Sequence, residues 1–297
     1  MKVFLRILAL IIFSQILGFI ILTLLTGVSL SDLNGLDADS SMTIIEKLGL
    51  YNYIFVSLLA TVLIPAIVFL LIFHKNNLFA DIGLVMPKRN SYFTYAIFLL
   101  FLSYPLIQFS ADLNSKMFFS DWMSGESEMI SKITMDILKM NNLWELLRNI
   151  FLVALLPAIG EELFFRVGIQ KELLKYFERK DLAIILTAII FSAFHMEFDD
   201  FLPRFFLGLI LGYAYYWSSS IWVSIAIHFI NNLLLVITAY FTSENLEDLV
   251  TTKSTEKIPI YILMMSLIAV FVIRQKMYQM FKEDNLIVEE KDSIDDR

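Results

Sequence analysis

The sequence predicts an all-α protein, a polytopic transmembrane helix bundle of about eight spans. Three observations predict it. Of 297 residues, 58% are hydrophobic and only 18% charged, with a mean hydropathy of +0.71, a balance found in polytopic membrane proteins rather than soluble domains. The apolar residues gather in windows near the ~20 residues needed to cross a hydrocarbon core. The basic residues between those windows alternate in density, as the positive-inside bias requires. There is no cysteine, which excludes disulfides, thiol nucleophiles and Cys-based metal sites. The net charge of −7 carries little weight, because the acids collect in loops and in the stretch from Glu283 to Asp296. A lipid bilayer is the expected partner, and no nucleic acid.

The windows run over 3–26, 52–74, 92–110, 145–165, 181–197, 201–218, 221–242 and 259–275. The first follows Lys2 and Arg6 but is too long for a signal-peptide core and lacks an A-x-A-like cleavage site, so it reads as a retained span. The second ends beside His74 and Lys75, which suit the interface. Between the third and fourth windows, Met129, Ile130, Ile133, Ile137 and Met140 recur at helical spacing opposite Glu128, Lys132, Asp136 and Lys139. That pattern predicts a helix lying on the outer interface, near Phe118, Phe119 and Trp122 as an aromatic belt. The segment from Val167 to Lys180 should carry the fourth helix out into the cytoplasmic interface, its basic residues toward anionic headgroups. The fifth and sixth windows are short and must be tucked inside the bundle. Gly208 and Gly212 in the sixth predict close helix packing. The whole reads as one membrane domain, 1–275, with a short polar cytoplasmic tail, 276–297.

Orientation follows from the short loops. Lys2, Arg6, Lys75, Lys88, Arg89, Lys171, Lys175, Arg179, Lys180, Arg274, Lys276 and Lys282 fall on one side. The other side carries Lys47, Lys116, Lys132, Lys139, Arg204, Lys253 and Lys257, partly diluted by acids. Both termini are therefore expected in the cytoplasm.

Ionisable residues at membrane depth cost about 2.5–3.5 kcal/mol each on insertion scales, and they mark function or pairing. Glu161, Glu162 and Arg166 lie in the fourth window. On a helix Glu162 and Arg166 share a face and can pair, which makes their burial cheaper than that of either alone. Glu161 points about 100° away and has no cation nearby in sequence, so it is the candidate general base. His195 lies one turn after Phe191, and His228 one turn before Asn232. An imidazole and an amide so aligned could hold an oxyanion, orient a water or bind a metal. These groups should converge on one water-accessible cavity, open to the cytoplasmic half of the bilayer.

Other hydrolase signatures are missing. There is no H-E-x-x-H segment, no buried Ser in a glycine-rich nucleophile turn and no aspartate central to a span. What remains is Glu, His and Asn, a set that activates water rather than forming a covalent intermediate.

Glu161-Glu162-x-x-x-Arg166, Phe191-x-x-x-His195 and His228-x-x-x-Asn232, in this order on successive membrane helices, resemble the CPBP family. These are the CAAX-protease and bacteriocin-processing (Abi) intramembrane endopeptidases, and the GEELFFR form looks like their prokaryotic branch. The resemblance covers a CAAX-protease-like core of about 145–240. It implies that Glu161 activates water, that His195 positions it or binds a metal, and that His228 and Asn232 bind a metal or stabilise the tetrahedral oxyanion, with Glu162 and Arg166 in support. It further implies an endopeptidase acting on a membrane-associated peptide or protein, in a bacterial cytoplasmic membrane. Either one divalent metal such as zinc at Glu161, His195 and His228, or no metal, is compatible with it. Two alternatives stand beside it. One is a non-proteolytic, bacteriocin-immunity-type membrane protein. The other is a proton-coupled transporter, against which stands the lack of inverted repeats.

The depth of His195 fits imperfectly. It falls near the outer end of its window, and continuation of the helix through Met196 to Phe198 is the expected remedy.

Overall fold

Long apolar runs without internal glycine turns leave helix as the only way to satisfy backbone polar groups in lipid, and helices are what form. The structure, a computed structural model, describes residues 2–26, 49–73, 83–117, 121–242 and 258–295; His74 lies outside them. The described residues form nine helices: α1 (Lys2–Thr26), α2 (Leu50–Phe73), α3 (Ser91–Asn114), α4 (Asp121–Leu138), α5 (143–176), α6 (Lys180–Phe194), α7 (Phe201–Ser218), α8 (Ile221–Phe241) and α9 (Ile260–Asp295). Among the described residues there is no strand. Every predicted window falls on a helix, and α4 is the predicted amphipathic one.

Among the described residues, five helices are long and apolar enough to cross a membrane: α1, α2, α3, α8 and the Ile260–Leu286 part of α9. The chain is an integral membrane protein with a polytopic helical bundle. The remaining three windows, on α5, α6 and α7, are the short or polar ones, and they form the middle of the bundle. Phe164, Phe165, Ile169, Ala183, Ile184, Leu211 and Ala214 are all fully buried there.

The segment after Val167 differs from expectation. Residues 164–170 are all buried, as are Glu172 and Leu173, so α5 leaves the core only after Leu173. Hydropathy ended the fourth span at 165 because Arg166 and Gln170 depress the average, yet both are enclosed by protein. The basic residues beyond are engaged: Lys175 Nζ donates to Glu172 at 2.5 Å, and Lys180 Nζ donates to the Leu174 and Phe177 carbonyls. Arg6 of α1 reaches the same Glu172 at 3.2 Å.

The polar tail expected from 276 begins instead as packed helix. Met277 and Met280 are buried. Asp284 accepts from the Tyr92 hydroxyl at 3.0 Å and pairs with Arg89 Nε at 2.9 Å.

The G-x-x-x-G step does what close packing demands. A Cβ at Gly208 would stand 3.1 Å from both Cα and Cβ of Ala188, and one at Gly212 would stand 2.8 Å from Ile184 Cγ2. Helix α7 thus lies against α6 with almost no side chain between them. Gly208→Val should force the two apart and lower thermal stability by roughly 1–3 kcal/mol, the usual penalty of overpacking. An unchanged melting temperature in detergent would show that the contact can relax.

Candidate active site

The site is built on the middle of α5. This helix is interrupted by π-helical turns at Ile150–Leu155 and Leu163–Gln170, with a short α-helical piece, Leu156–Glu162, between them. Single π turns rotate the following side chains and recur at functional sites. The two glutamates end the α-helical piece, and Arg166 lies in the second π stretch.

Glu162 is the hub. Its side chain is fully buried, and its carboxylate accepts from Arg166 Nε at 2.8 Å, from His228 Nδ1 at 2.9 Å and from the Ser224 hydroxyl. Arg166, also fully buried, extends the network: Nη1 donates to Gln170 Oε1 at 3.3 Å, and Gln170 Nε2 donates to the Gly212 carbonyl at 2.9 Å. The guanidinium stands 5.5 Å from the centre of the Phe191 ring, within cation–π range. A continuous polar chain therefore ties α5 to both α7 and α8. Burying a charge pair is tolerable only when its remaining donors and acceptors are used. Here nearly all are; of this network's atoms, only Arg166 Nη2 lacks a partner among the described residues.

Glu161 faces the other way, as the helical angle predicted. Its Oε2 lies 3.5 Å from His195 Nε2 and 3.8 Å from His228 Nε2 and makes no hydrogen bond among the described residues. Both imidazoles are held from behind. His195 Nδ1 is 2.7 Å from the Phe191 carbonyl, and His228 Nδ1 faces Glu162. A carbonyl and a carboxylate only accept, so each Nδ1 carries its hydrogen and donates it. The Nε2 atoms are left to face Glu161. The Phe191 ring packs edge-on against both, with centroids at 4.9 Å from His195 and 6.0 Å from His228. It acts as an apolar spacer that fixes their mutual angle.

His195 is not inside a helix. It caps α6, and Met196 after it is left-handed, with φ 59°. The expected continuation through Phe198 therefore does not occur: α6 stops at Phe194 and a 3₁₀ turn, Phe198–Asp200, leads into α7. The turn is pinned by Asn114 of α3. Its Nδ2 donates to the Phe198 and Asp199 carbonyls at 3.0 and 2.7 Å, and its Oδ1 accepts from Leu202 N at 2.8 Å. Ser192 Oγ adds a bond to the Phe201 carbonyl at 2.6 Å. The imidazole is thus held at a helix end by a fixed turn.

Glu161, His195, His228 and Asn232 line one cavity of about 690 Å³. Beyond them it is bounded by Thr134 of α4, Val153 of α5, Glu197 and Asp200 of the α6–α7 turn, Arg204 in the first turn of α7, and Thr238 near the end of α8. Arg204 is paired with Glu197. All these outer positions lie at the bundle end that carries α4 and the α6–α7 turn. Glu161 is in the middle of the long α5.

The donor set bears on a metal. Among the described residues, no group of three or more His, Asp and Glu side chains is arranged to hold a metal ion. Glu161, His195 and His228 do not fit one as they stand, and no step below is routed through it.

Sequence reasoning missed Ser224, Gln170, Tyr104 and Asn114. Two had a readable signal. Ser224, His228 and Asn232 form a stripe at four-residue steps on α8, and Gln170 continues the stripe Glu162–Arg166 on α5. Tyr104 and Asn114 are on α3, which no local spacing connects to the site.

The family model described as type II CAAX prenyl endopeptidase Rce1-like matches residues 143–234, the stretch from the start of α5 through most of α8. It contains Glu161, Glu162, Arg166, Phe191, His195, His228 and Asn232. Over this stretch, about a third of the chain, the match supports the resemblance to the CAAX-protease family. No curated protein and no solved structure matches the chain. The matched family is one of prenyl endopeptidases. Helices α1 to α4 and α9 lie outside the matched stretch and enclose it.

Proposed function

We propose that this protein hydrolyses a peptide bond of a membrane-associated peptide or protein with a water activated by Glu161. The observation that carries the reading is the buried Glu161 Oε2, without a hydrogen bond among the described residues and faced by two imidazole nitrogens at 3.5 and 3.8 Å. A water placed there would give one proton to the carboxylate while its oxygen attacks the carbonyl carbon. The tetrahedral intermediate collapses as the C–N bond breaks, and the proton held by Glu161 passes to the leaving amine. The two histidines have different backing. His228 is backed by the Glu162 carboxylate and His195 by a peptide carbonyl. His228, its ring held by the Glu162 carboxylate, is therefore assigned to the oxyanion, with Asn232 one turn further on. His195 keeps a free lone pair on Nε2 to orient the water. This follows the logic of any acceptor-backed imidazole.

The test uses purified protein in lipid discs with a panel of membrane-anchored peptides, prenylated and unprenylated, read by mass spectrometry. A single new cleavage that survives exhaustive chelation is the expected result. Loss on chelation with recovery on zinc would replace water activation by Glu161 with a metal mechanism. Absence of cleavage across the panel would favour an immunity-type role.

The orientation proposed with this reading keeps both termini in a bacterial cytoplasm, which puts the cavity mouth at the outer leaflet. The chain has no cysteine, so single-cysteine labelling needs no background removal. Exposed Lys139, at the mouth end, and exposed Lys282, on the last helix, serve as reporters. Lys139→Cys should react with an impermeant maleimide added to intact cells, and Lys282→Cys only after lysis. The reverse pattern would invert the bundle and open the mouth to the cytoplasm.

A further inference from the structure

Asn232 can help an oxyanion only if its amide, not its carbonyl, faces the cavity. Nothing in its own helix decides that. Its neighbours do. The Tyr104 hydroxyl of α3 donates to Asn231 Oδ1 at 3.1 Å. Asn231 Nδ2 in turn donates to Asn232 Oδ1 at 3.2 Å. All three side chains line the cavity, and all are half-buried.

The direction of this chain is set at its cavity end, beside the Glu161 carboxylate. A phenol has one hydrogen; once that is given to Asn231 Oδ1, the Asn231 amide is the group left to donate. With Asn232 Oδ1 so occupied, its Nδ2 remains for the cavity. The opposite direction would turn the Asn232 carbonyl toward a cavity that already holds the Glu161 carboxylate, an unfavourable meeting of acceptors. We infer that Tyr104 and Asn231 are positioning residues: a two-link relay from α3 that fixes the rotamer and amide sense of Asn232 so that it presents a donor to the reacting carbonyl. The inference rests on the hydrolytic reading and assigns α3, outside the matched stretch, a part in the site.

The relay makes a prediction that ordinary packing does not. Asn232→Ala should lower kcat by about 10²–10³-fold, the range for one lost oxyanion donor. Tyr104→Phe removes only the first hydrogen of the relay, keeps the ring, and should lower kcat roughly tenfold with KM within about twofold. Asn231→Ala should behave alike. In an Asn232→Ala background, adding Tyr104→Phe should change kcat no further, because the relay then has nothing to orient. Effects that multiply in the double variant, or a Tyr104→Phe kcat equal to wild type, would overturn the inference.

A second measurement does not depend on turnover. With ¹⁵N-labelled asparagine, the side-chain NH₂ signals of Asn231 and Asn232, assigned by their absence in the Ala variants, should both move in Tyr104→Phe. An unmoved Asn232 signal would refute the relay even if the protein cleaves nothing. Moved signals with no hydrolysis by wild type would sink the hydrolytic reading while leaving the relay's geometry intact.

Discussion

Glu161→Gln should abolish hydrolysis while the protein stays folded. Gln has the volume of Glu but cannot take a proton from water, and removal of a general base costs about 10²–10⁴-fold in rate. Folding should be spared because Glu161 holds nothing else in place: its Oε2 makes no hydrogen bond among the described residues, and its side chain borders the cavity at 12% exposure. The measurement is single-turnover cleavage of the peptide identified for wild type, beside a melting curve of the same preparation. Wild-type cleavage by the variant would mean that another group takes the proton. A collapsed melting temperature would place Glu161 in the scaffold instead.

Arg166→Ala should damage the protein through stability rather than chemistry. It removes the 2.8 Å partner of a fully buried carboxylate, and breaking a buried pair from one side costs about 3–5 kcal/mol. It also removes the donor to Gln170 Oε1 and leaves the Phe191 face without its cation. Glu162→Gln combined with Arg166→Gln leaves no uncompensated charge and should recover part of the lost melting temperature. It should not recover activity to the same extent, because a neutral amide at position 162 no longer backs His228 with a carboxylate. A double variant no more stable than Arg166→Ala would show that the two side chains do not act as partners. A double variant with full activity would show that the charge on Glu162 is irrelevant to His228.

The fold was legible because hydropathy and loop charge are coarse signals that survive averaging over a window. The grouping of Glu161, His195 and His228 was legible for a related reason: polar side chains stranded in apolar runs have few places to go except toward one another. The pairing of Glu162 with Arg166 followed from a spacing of four, and the opposed direction of Glu161 from the helical angle. That Glu162 also holds His228 was not legible, because the local partner already accounted for its charge. Ser224 could be read only through its four-residue stripe with His228 and Asn232. Depth was the least readable quantity. A hydropathy window ends where charged residues begin, and Arg166, Gln170 and Glu172 are charged or polar yet buried. The window therefore closed inside the core. The termination of α6 at Phe194 was hidden because Met196, an unbranched apolar residue, gives no hint of the left-handed backbone it adopts there.

The polar network around Glu162 has a consequence for how the protein is made. Glu162 and Arg166 leave the ribosome together, but the hydroxyl and imidazole that complete the Glu162 shell lie 62 and 66 residues downstream, and the Gly212 carbonyl that receives Gln170 lies 42 residues after it. During synthesis α5 therefore presents an incompletely satisfied ion pair to the membrane until α7 and α8 arrive. Nascent chains halted after residue 218 should hold α5 loosely, near the translocation channel or as prey for quality-control proteases, and release it only once Ser224 and His228 have emerged. The same contacts that assemble the site would then act as the checkpoint for integration.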